Sequence, residues 1–228
     1  MDKIYFSNLE KISENNMLGS ESSIYNCFFN NKFYLYKQPH EFKQDIAEKM
    51  NLLTDIDNPY LITPKFIIYG DNYKKPIGYL LHYLDGYNSL YDLKLSKEEK
   101  INILKRVKMA IIEMHKIGII HCDLHLANIM YGKNDVKIID LDSSKYLNYQ
   151  PDDFNSYSQE YLKINKLSKA VDIYNFNIDT FSCLNNIAWD HVFDFDYKAS
   201  LTDEQNKIWQ KTKEKKELTY DDFLIDCL

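Results

Sequence analysis

The chain has 228 residues, of which 45% are hydrophobic, and a formal net charge of −6. These values are typical of a folded globular protein with room for two lobes, and the acidic balance disfavours nucleic acid as a partner. The sequence has no apolar run long enough to span a bilayer and no CxxC pair among its four cysteines, so we expect a cytoplasmic protein without a membrane partner.

The first 84 residues are predicted to be rich in β-structure. Apolar side chains at helical spacing predict one helix over residues 40–53, and Asn58-Pro59 would end it. Asparagines at 30 and 31 predict the turn of a hairpin. The predicted strands, rich in aromatic and β-branched residues, cover residues 9–12, 24–29, 33–37, 66–69 and 77–83.

Helical patterns dominate from residue 85 onward. Ser96 with Glu99 three residues later forms a capping-box pattern at the start of a long helix that ends near Gly118. Residues 143–168 have no clear period and predict an irregular segment. Further helices are predicted to begin within residues 89–93 and to cover residues 171–187, 200–217 and 219–228. The chain is therefore predicted to be α+β, with a boundary near residue 84.

One short stretch carries most of the chemical information. It reads His-Cys-Asp-Leu-His-Leu-Ala-Asn over residues 121–128, and a predicted strand at residues 136–139 leads into Asp140. Asp123 could accept the proton of an attacking hydroxyl, while Asn128 and Asp140 could bind divalent metal. Phosphoryl transfer needs positioned phosphates, metal and an oriented nucleophile, and these residue types supply the last two.

This stretch resembles the catalytic loop H-R-D-L-K-x-x-N and the D-F-G segment of the protein kinase-like superfamily. The resemblance implies a divergent, compact member of that superfamily with a bilobal fold. Residues 1–84 would form the nucleotide-binding lobe, residues 85–228 the catalytic and substrate lobe, and the nucleotide would lie between them. It also implies ATP and Mg²⁺ as cofactors, Asp123 as catalytic base, and Asn128 and Asp140 as Mg²⁺ ligands. His121 would be a packing residue of the loop.

The resemblance extends to a lysine and a glutamate of the first lobe. Lys37 closes a predicted strand, and Glu48 lies in the helix that follows. In the family, such a lysine binds the α- and β-phosphates and pairs with a helix glutamate. Glu41 is the alternative glutamate, and two unrelated surface charges are the simpler interpretation.

Two further nucleotide contacts are implied. Leu18–Ile24 lies at the position of the family's glycine-rich loop, but only Gly19 remains in it, so an ordinary polar turn is the alternative. The backbone near His82 and Leu84 would bind the adenine edge, as in the family's interlobe segment.

The second lobe contains one more match to the family and several departures from it. Asp172 resembles the buried aspartate that holds the catalytic loop, with Asp179 as one alternative and a residue on an exposed helix face as the other. Cys122 replaces an arginine that in the family contacts a phosphate on the activation loop. Its absence predicts a protein that is active without phosphorylation of that loop. His125 replaces a lysine that steadies the γ-phosphate, so activity is expected to fall as pH rises. Asp142 replaces a glycine and is expected to face solvent, with water-mediated metal binding as the alternative.

Three functions remain open on the sequence. The first, which the sequence favours over the other two, is a protein kinase that phosphorylates Ser or Thr of a protein substrate. The second is a small-molecule kinase of the aminoglycoside or choline kinase type. The histidine at position 125 is typical of those enzymes, but the segment after the Asp172 helix is shorter than their helical second lobe usually is. The third is a pseudokinase that acts as a binding module. The sequence does not indicate an oligomeric state.

Overall fold

A computed structural model describes residues 3–14, 22–72, 75–91, 95–151, 154–188, 191–193 and 201–227. The chain divides into two compact units, each with its own internal contacts. Unit 1 consists of residues 1–57 and 62–86, and unit 2 of residues 58–61 and 87–228. The predicted α+β composition is confirmed, since unit 1 is built on a β-sheet and unit 2 is mainly helical.

Unit 1 is organised around a six-stranded sheet with the order β1-β5-β6-β4-β3-β2. Only the β1–β5 pair is parallel. Asn30 and Asn31 both adopt positive φ angles in the β3–β4 turn, a conformation that asparagine tolerates well. The strands are β1 (Ile4–Tyr5), β2 (Glu10–Glu14), β3 (Ser22–Phe29), β4 (Lys32–Pro39), β5 (Phe66–Tyr69) and β6 (Pro76–His82). The predicted hairpin and second strand pair are thus confirmed.

One helix packs on this sheet. Helix α1 (Gln44–Leu53) contacts β5 and β6 and buries Ala47, Met50 and Leu53. It begins four residues later than predicted because strand β4 continues to Pro39.

Unit 2 contains four helices and a small sheet among its described residues. The helices are α2 (Lys97–Lys116), α3 (Ser156–Leu162), α4 (Ala170–Asn185) and α5 (Asp203–Lys213). The sheet has the order β7 (Asn88–Ser89), β8 (Ile129–Tyr131) and β9 (Val136–Ile138). Every residue of α4 from Ala170 to Cys183 is buried, so α4 is the central element of this unit.

The predicted elements of unit 2 agree with the structure only in part. The capping box at Ser96 is confirmed, since Ser96 and Glu99 exchange hydrogen bonds. The helix predicted to begin within residues 89–93 is wrong, because Asn88 and Ser89 pair with β8; residues 92–94 lie outside the described part. The irregular segment predicted for 143–168 contains α3, which the sequence did not indicate. The C-terminal helix is reduced to two 3-10 turns after Thr219.

Within the described residues, no helix combines the length and the apolar character that crossing a membrane requires.

Candidate active site

The loop that carries residues 121–128 is held by Asp172, a fully buried residue of α4. One carboxylate oxygen of Asp172 accepts hydrogen bonds from the backbone N–H of His121 (2.7 Å) and from Nε2 of His115 (2.9 Å). The other oxygen accepts from the backbone N–H of Cys122 (2.9 Å). A buried carboxylate needs such donors. The predicted role of Asp172 in holding the loop agrees with these contacts, and its burial excludes the alternative of an exposed helix face.

Cys122 adopts a left-handed backbone conformation with φ of 67°. This conformation is costly for a residue with a side chain and persists only where neighbours enforce it. Here Asp172 holds the N–H of Cys122, and the Oγ of Ser158 on α3 donates to its carbonyl oxygen (2.6 Å). Asn175 of α4 in turn donates to Ser158 Oγ (2.7 Å). The loop is therefore fixed through both backbone polar groups of Cys122, on the two peptide units that flank it.

His121 links the loop to the strand that leads to Asp140. Its side chain is fully buried, and its Nε2 lies 2.9 Å from the carbonyl oxygen of Ile139. The backbone N–H of Ile139 also donates to the carbonyl oxygen of Asn128 (3.0 Å). These two contacts agree with the packing role predicted for His121 and bring the end of β9 beside the end of the loop.

Asp140 follows β9 in a left-handed conformation, with φ of 64° and ψ of 61°. Aspartate tolerates this region better than most residues, and non-glycine residues held there are concentrated at functional sites. Asp142 lies in the 3-10 turn that follows and is half-buried, which does not favour the expectation that it simply faces solvent.

Asp123, His125 and Asn128 lie together at the centre of the loop. The Asn128 amide nitrogen donates to the carbonyl oxygen of Asp123 (3.0 Å) and lies 3.1 Å from His125 Nε2. His125 Nε2 is also 3.7 Å from Asp123 Oδ2, a distance of an ion pair rather than of a hydrogen bond. The neutral imidazole can accept from Asn128, whereas the imidazolium is stabilised by the Asp123 carboxylate.

The charges of this group shift two pKa values in opposite directions. Burial by itself lowers the pKa of His125, but the carboxylates of Asp123, Asp179 and Asp140 outweigh it, so the pKa is raised. Burial by itself raises the pKa of Asp123, but His125, His121 and the Asn155 amide outweigh it, so the pKa is lowered. Asp123 is therefore ionised near neutral pH, as a proton acceptor must be.

The residues predicted to bind metal offer suitable atoms. Because the Asn128 amide nitrogen is engaged with Asp123, its amide oxygen is the atom left to coordinate a cation. One carboxylate and one amide oxygen, completed by substrate phosphates and water, fit the preference of Mg²⁺ for few protein ligands. Among the described residues, here or elsewhere, no group of three or more His, Cys, Asp or Glu side chains is placed to hold a metal ion.

Lys37 and Glu48 belong to unit 1. Lys37 lies on β4 opposite Ile24 and Tyr79, and only 7% of it is exposed. Gly78 on β6 permits this close packing, since a Cβ there would lie 2.4 Å from the Lys37 carbonyl oxygen. Glu48 is exposed on α1 and accepts a hydrogen bond from Gln44 (2.9 Å). Its pairing with Lys37 stays a prediction.

The other predicted nucleotide contacts are also in the first unit. His82 is the last residue of β6, and its ring stacks on Tyr34 at a centroid distance of 5.7 Å. Leu84 follows β6 and is half-buried. Gly19 lies outside the described residues. The roles of these three residues in nucleotide binding stay predictions.

Sequence reasoning missed the residues that support the loop from α2, α3 and α4. His115, Ser158 and Asn175 are all buried and contact Asp172 or Cys122 directly or through one another. One signal was present, since Asn175 is a polar residue inside the most apolar helical pattern of the chain. A polar side chain there must find partners, and those partners define the site.

Comparison with known proteins agrees with this geometry. No curated protein matches the sequence. The family described as the protein kinase domain matches residues 19–223, which is nearly the whole chain. With its α+β architecture of two units and its loop geometry, the chain belongs to the protein kinase domain family and has a protein kinase-like fold.

Proposed function

We propose that this kinase-family protein transfers the γ-phosphate of ATP to the hydroxyl of a Ser or Thr residue in a protein. The observation that carries the proposal is the position of the Asp123 carboxylate, ionised and held beside His125 and Asn128 on a loop that Asp172 fixes. Family membership supports phosphoryl transfer in general. The protein acceptor is the first candidate because the family is that of the protein kinase domain.

In the proposed reaction, the acceptor oxygen forms a new bond to the γ-phosphorus while the bond to the bridging oxygen of ADP breaks. The acceptor proton passes to Asp123, and ADP leaves. Asn128 and Asp140 would hold Mg²⁺, which supplies neutralisation of phosphate charge. Lys37 and the backbone at Gly19 would bind phosphate oxygens, Glu48 would orient Lys37, and the backbone near His82 and Leu84 would bind adenine.

His125 has a second role in the proposal. Its imidazolium would steady the γ-phosphate in place of the lysine usual in the family. The raised pKa supports this, because it keeps more of the imidazole charged near neutral pH than is usual for histidine.

A small-molecule acceptor is the second candidate. It is favoured by one observation, a cavity of about 770 Å³ in unit 2 that borders His125. This volume lies within the range of small-molecule sites. A pseudokinase without transfer is less well supported, because a scaffold needs neither an ionised Asp123 nor the anchored loop around it.

The compartment is proposed to be the cytoplasm. All four cysteines are free thiols, and three of them are buried in the protein, which fits a reducing environment.

The experiment that tests the proposed function is Mg²⁺-dependent transfer from γ-labelled ATP to a general protein substrate and to a panel of hydroxylated metabolites. Asp123→Ala should abolish transfer to every acceptor and leave ATP binding nearly intact, since the Asp123 carboxylate is assigned to the acceptor hydroxyl and affects the phosphates only through the charge of His125. Transfer at the wild-type rate in this variant would reject the assignment. Transfer to metabolites alone would move the acceptor to the small-molecule class.

A further inference from the structure

A cavity of about 770 Å³ lies within unit 2, between the catalytic loop and the C-terminal end of α4. Its lining includes His125 and Asn155 at one end and Cys183, Asn186 and Lys100 at the other. Asp179 lies on the α4 wall between them. The cavity therefore connects the chemistry of the loop to a second group of polar side chains.

The loop end of this cavity adjoins the proposed catalytic base. His125 Nε2 lies 3.7 Å from Asp123 Oδ2, and the Asn155 side chain also interacts with the Asp123 carboxylate. A ligand that fills the cavity would thus contact two direct neighbours of Asp123. An acceptor with its hydroxyl at Asp123 could extend the rest of its structure into this space.

The far end of the cavity contains a buried cation. Lys100 is only 5% exposed, and its Nζ donates to the carbonyl oxygen of Cys183 (3.0 Å) and to Oδ1 of Asn186 (2.7 Å). Both of these partners are neutral.

This placement of Lys100 is costly for the free protein. An ammonium group offers three donors, so the two carbonyl partners leave one N–H to be satisfied. A buried charge is unfavourable where no opposite charge pairs with it, and among the described residues no carboxylate forms an ion pair with Lys100. Capping the C-terminal end of α4 accounts for two of the donors, and the negative end of that helix dipole offsets part of the charge.

The acidic and basic groups are separated along the cavity. Asp179 lies four residues before Cys183 on α4, a rise of about 6 Å along the helix axis. The Asp179 charge acts on His125 at the loop end and also on Cys183, whereas Lys100 is bonded at the Cys183 end. A ligand with one anionic group would place that group at Lys100, away from the carboxylates at the loop.

We infer that Lys100 binds an anionic group of the acceptor, a carboxylate or a phosphate, that lies several ångströms from the hydroxyl to be phosphorylated. This inference rests on the proposed phosphotransferase function of the same site. The anionic group belongs either to an acidic or phosphorylated side chain of a protein or to a small hydroxylated acid or phosphate ester. The chemistry recognised by Lys100 is the same in both cases.

The first test uses four probes that share one hexose skeleton and differ in charge. Gluconate and glucose 6-phosphate are anionic, glucose is neutral, and glucosamine is cationic. Binding is measured by calorimetry on the Asp123→Ala variant with Mg²⁺ and ATP, so that binding is read without turnover. A second set compares serine peptides that carry either glutamate or glutamine near the serine.

Variants of Lys100 then identify the group responsible. Lys100→Met removes the charge, Lys100→Arg keeps it, and Lys105→Met removes an exposed lysine of the same helix as a matched control. Because Lys100 also caps α4, Ala188→Phe at the exposed rim of the cavity provides a second variant that leaves Lys100 intact and fills space.

The expected result is binding of the anionic members of at least one set, about tenfold or more tighter than of their neutral partners. This preference should disappear in Lys100→Met, remain in Lys100→Arg and Lys105→Met, and weaken in Ala188→Phe. The set that responds identifies whether the anion comes from a protein or from a metabolite.

Equal binding of charged and neutral probes, anion binding that survives Lys100→Met, or no binding of any anionic probe would overturn the inference. The proposed function is judged separately, by label transfer in the wild type. Lys100-dependent binding without transfer would reject the phosphotransferase and keep the anion site. Transfer to neutral acceptors would keep the phosphotransferase and reject the anion site.

Discussion

Asp172→Asn is the sharpest test of how the fold holds the catalytic loop. The substitution keeps the shape of the side chain but replaces one acceptor oxygen by an NH₂ donor. The amide oxygen can still accept from His121 and His115, and the NH₂ group then faces the backbone N–H of Cys122. Two buried donors are left without acceptors, and each costs about 1–3 kcal/mol, so the free energy of unfolding should fall by about 2–6 kcal/mol.

The assay has two readouts. A loss of this size lowers the Tm of a chain of this length by about 4–24 °C. Transfer, measured well below both melting temperatures, should fall by about 10- to 100-fold, because a loop displaced by about an ångström no longer positions Asp123. Asp221→Asn, an exposed aspartate of the same unit, is the control and should change neither quantity. If the Tm and the transfer rate of Asp172→Asn both matched those of this control, Asp172 would not be the anchor of the catalytic loop.

Three further variants test single contacts. The carboxylate neighbours of His125 raise its pKa, so wild-type activity should fall as pH rises through that raised pKa. The pH–rate profile of His125→Gln should not show this fall. Ser158→Ala leaves the Cys122 carbonyl and the Asn175 amide each without a buried partner, so chemical denaturation should show a loss of about 2–6 kcal/mol. Asp140→Ala should remove the Mg²⁺ dependence of ATP binding in calorimetry, and unchanged Mg²⁺ dependence would contradict the assigned ligand.

The shifted pKa values of His125 and Asp123 also make the stability of the folded protein depend on pH. A raised pKa for His125 in the folded state means that its stabilising effect is complete below its unfolded pKa, about 6.5, and is lost as pH rises through the folded value. The lowered pKa of Asp123 acts in the opposite sense, so its contribution is present above its unfolded pKa and is lost as pH falls through the folded value. The pair therefore stabilises the loop most in the range between these two limits.

Local signals predicted the elements that depend on local interactions. The α2 helix was recognisable because its capping box and apolar spacing are contained in its own sequence. The α3 helix was not, because its buried residues, Ser158 and Tyr161, are too few to give a period. Its sequence therefore does not distinguish it from a loop, and contacts to the distant residues Cys122 and Asn175 define its position.

The same distinction applies to the site. The motif predicted which residue types meet at the loop, and Asp123, His125 and Asn128 do lie together. The exposed position of Glu48 could also have been anticipated, because a residue two positions before the buried Met50 lies about 160° away around a helix. The cavity and the position of Lys100 could not have been anticipated from the sequence. Lys100 contacts Cys183 of α4, which lies more than 80 residues further along the chain.

The anchoring of Cys122 bears on how the loop can function without the family's arginine. An arginine at this position reads a phosphate and couples the loop to modification. Here Asp172 holds the backbone N–H of Cys122 and Ser158 holds its carbonyl oxygen, both through buried hydrogen bonds. The Ser158 helix is itself tied to unit 2 by Glu160, which accepts from Lys215 (3.1 Å). None of these contacts requires a phosphate, so the loop is held in its strained conformation by the folded unit alone, which supports the expectation of constitutive competence.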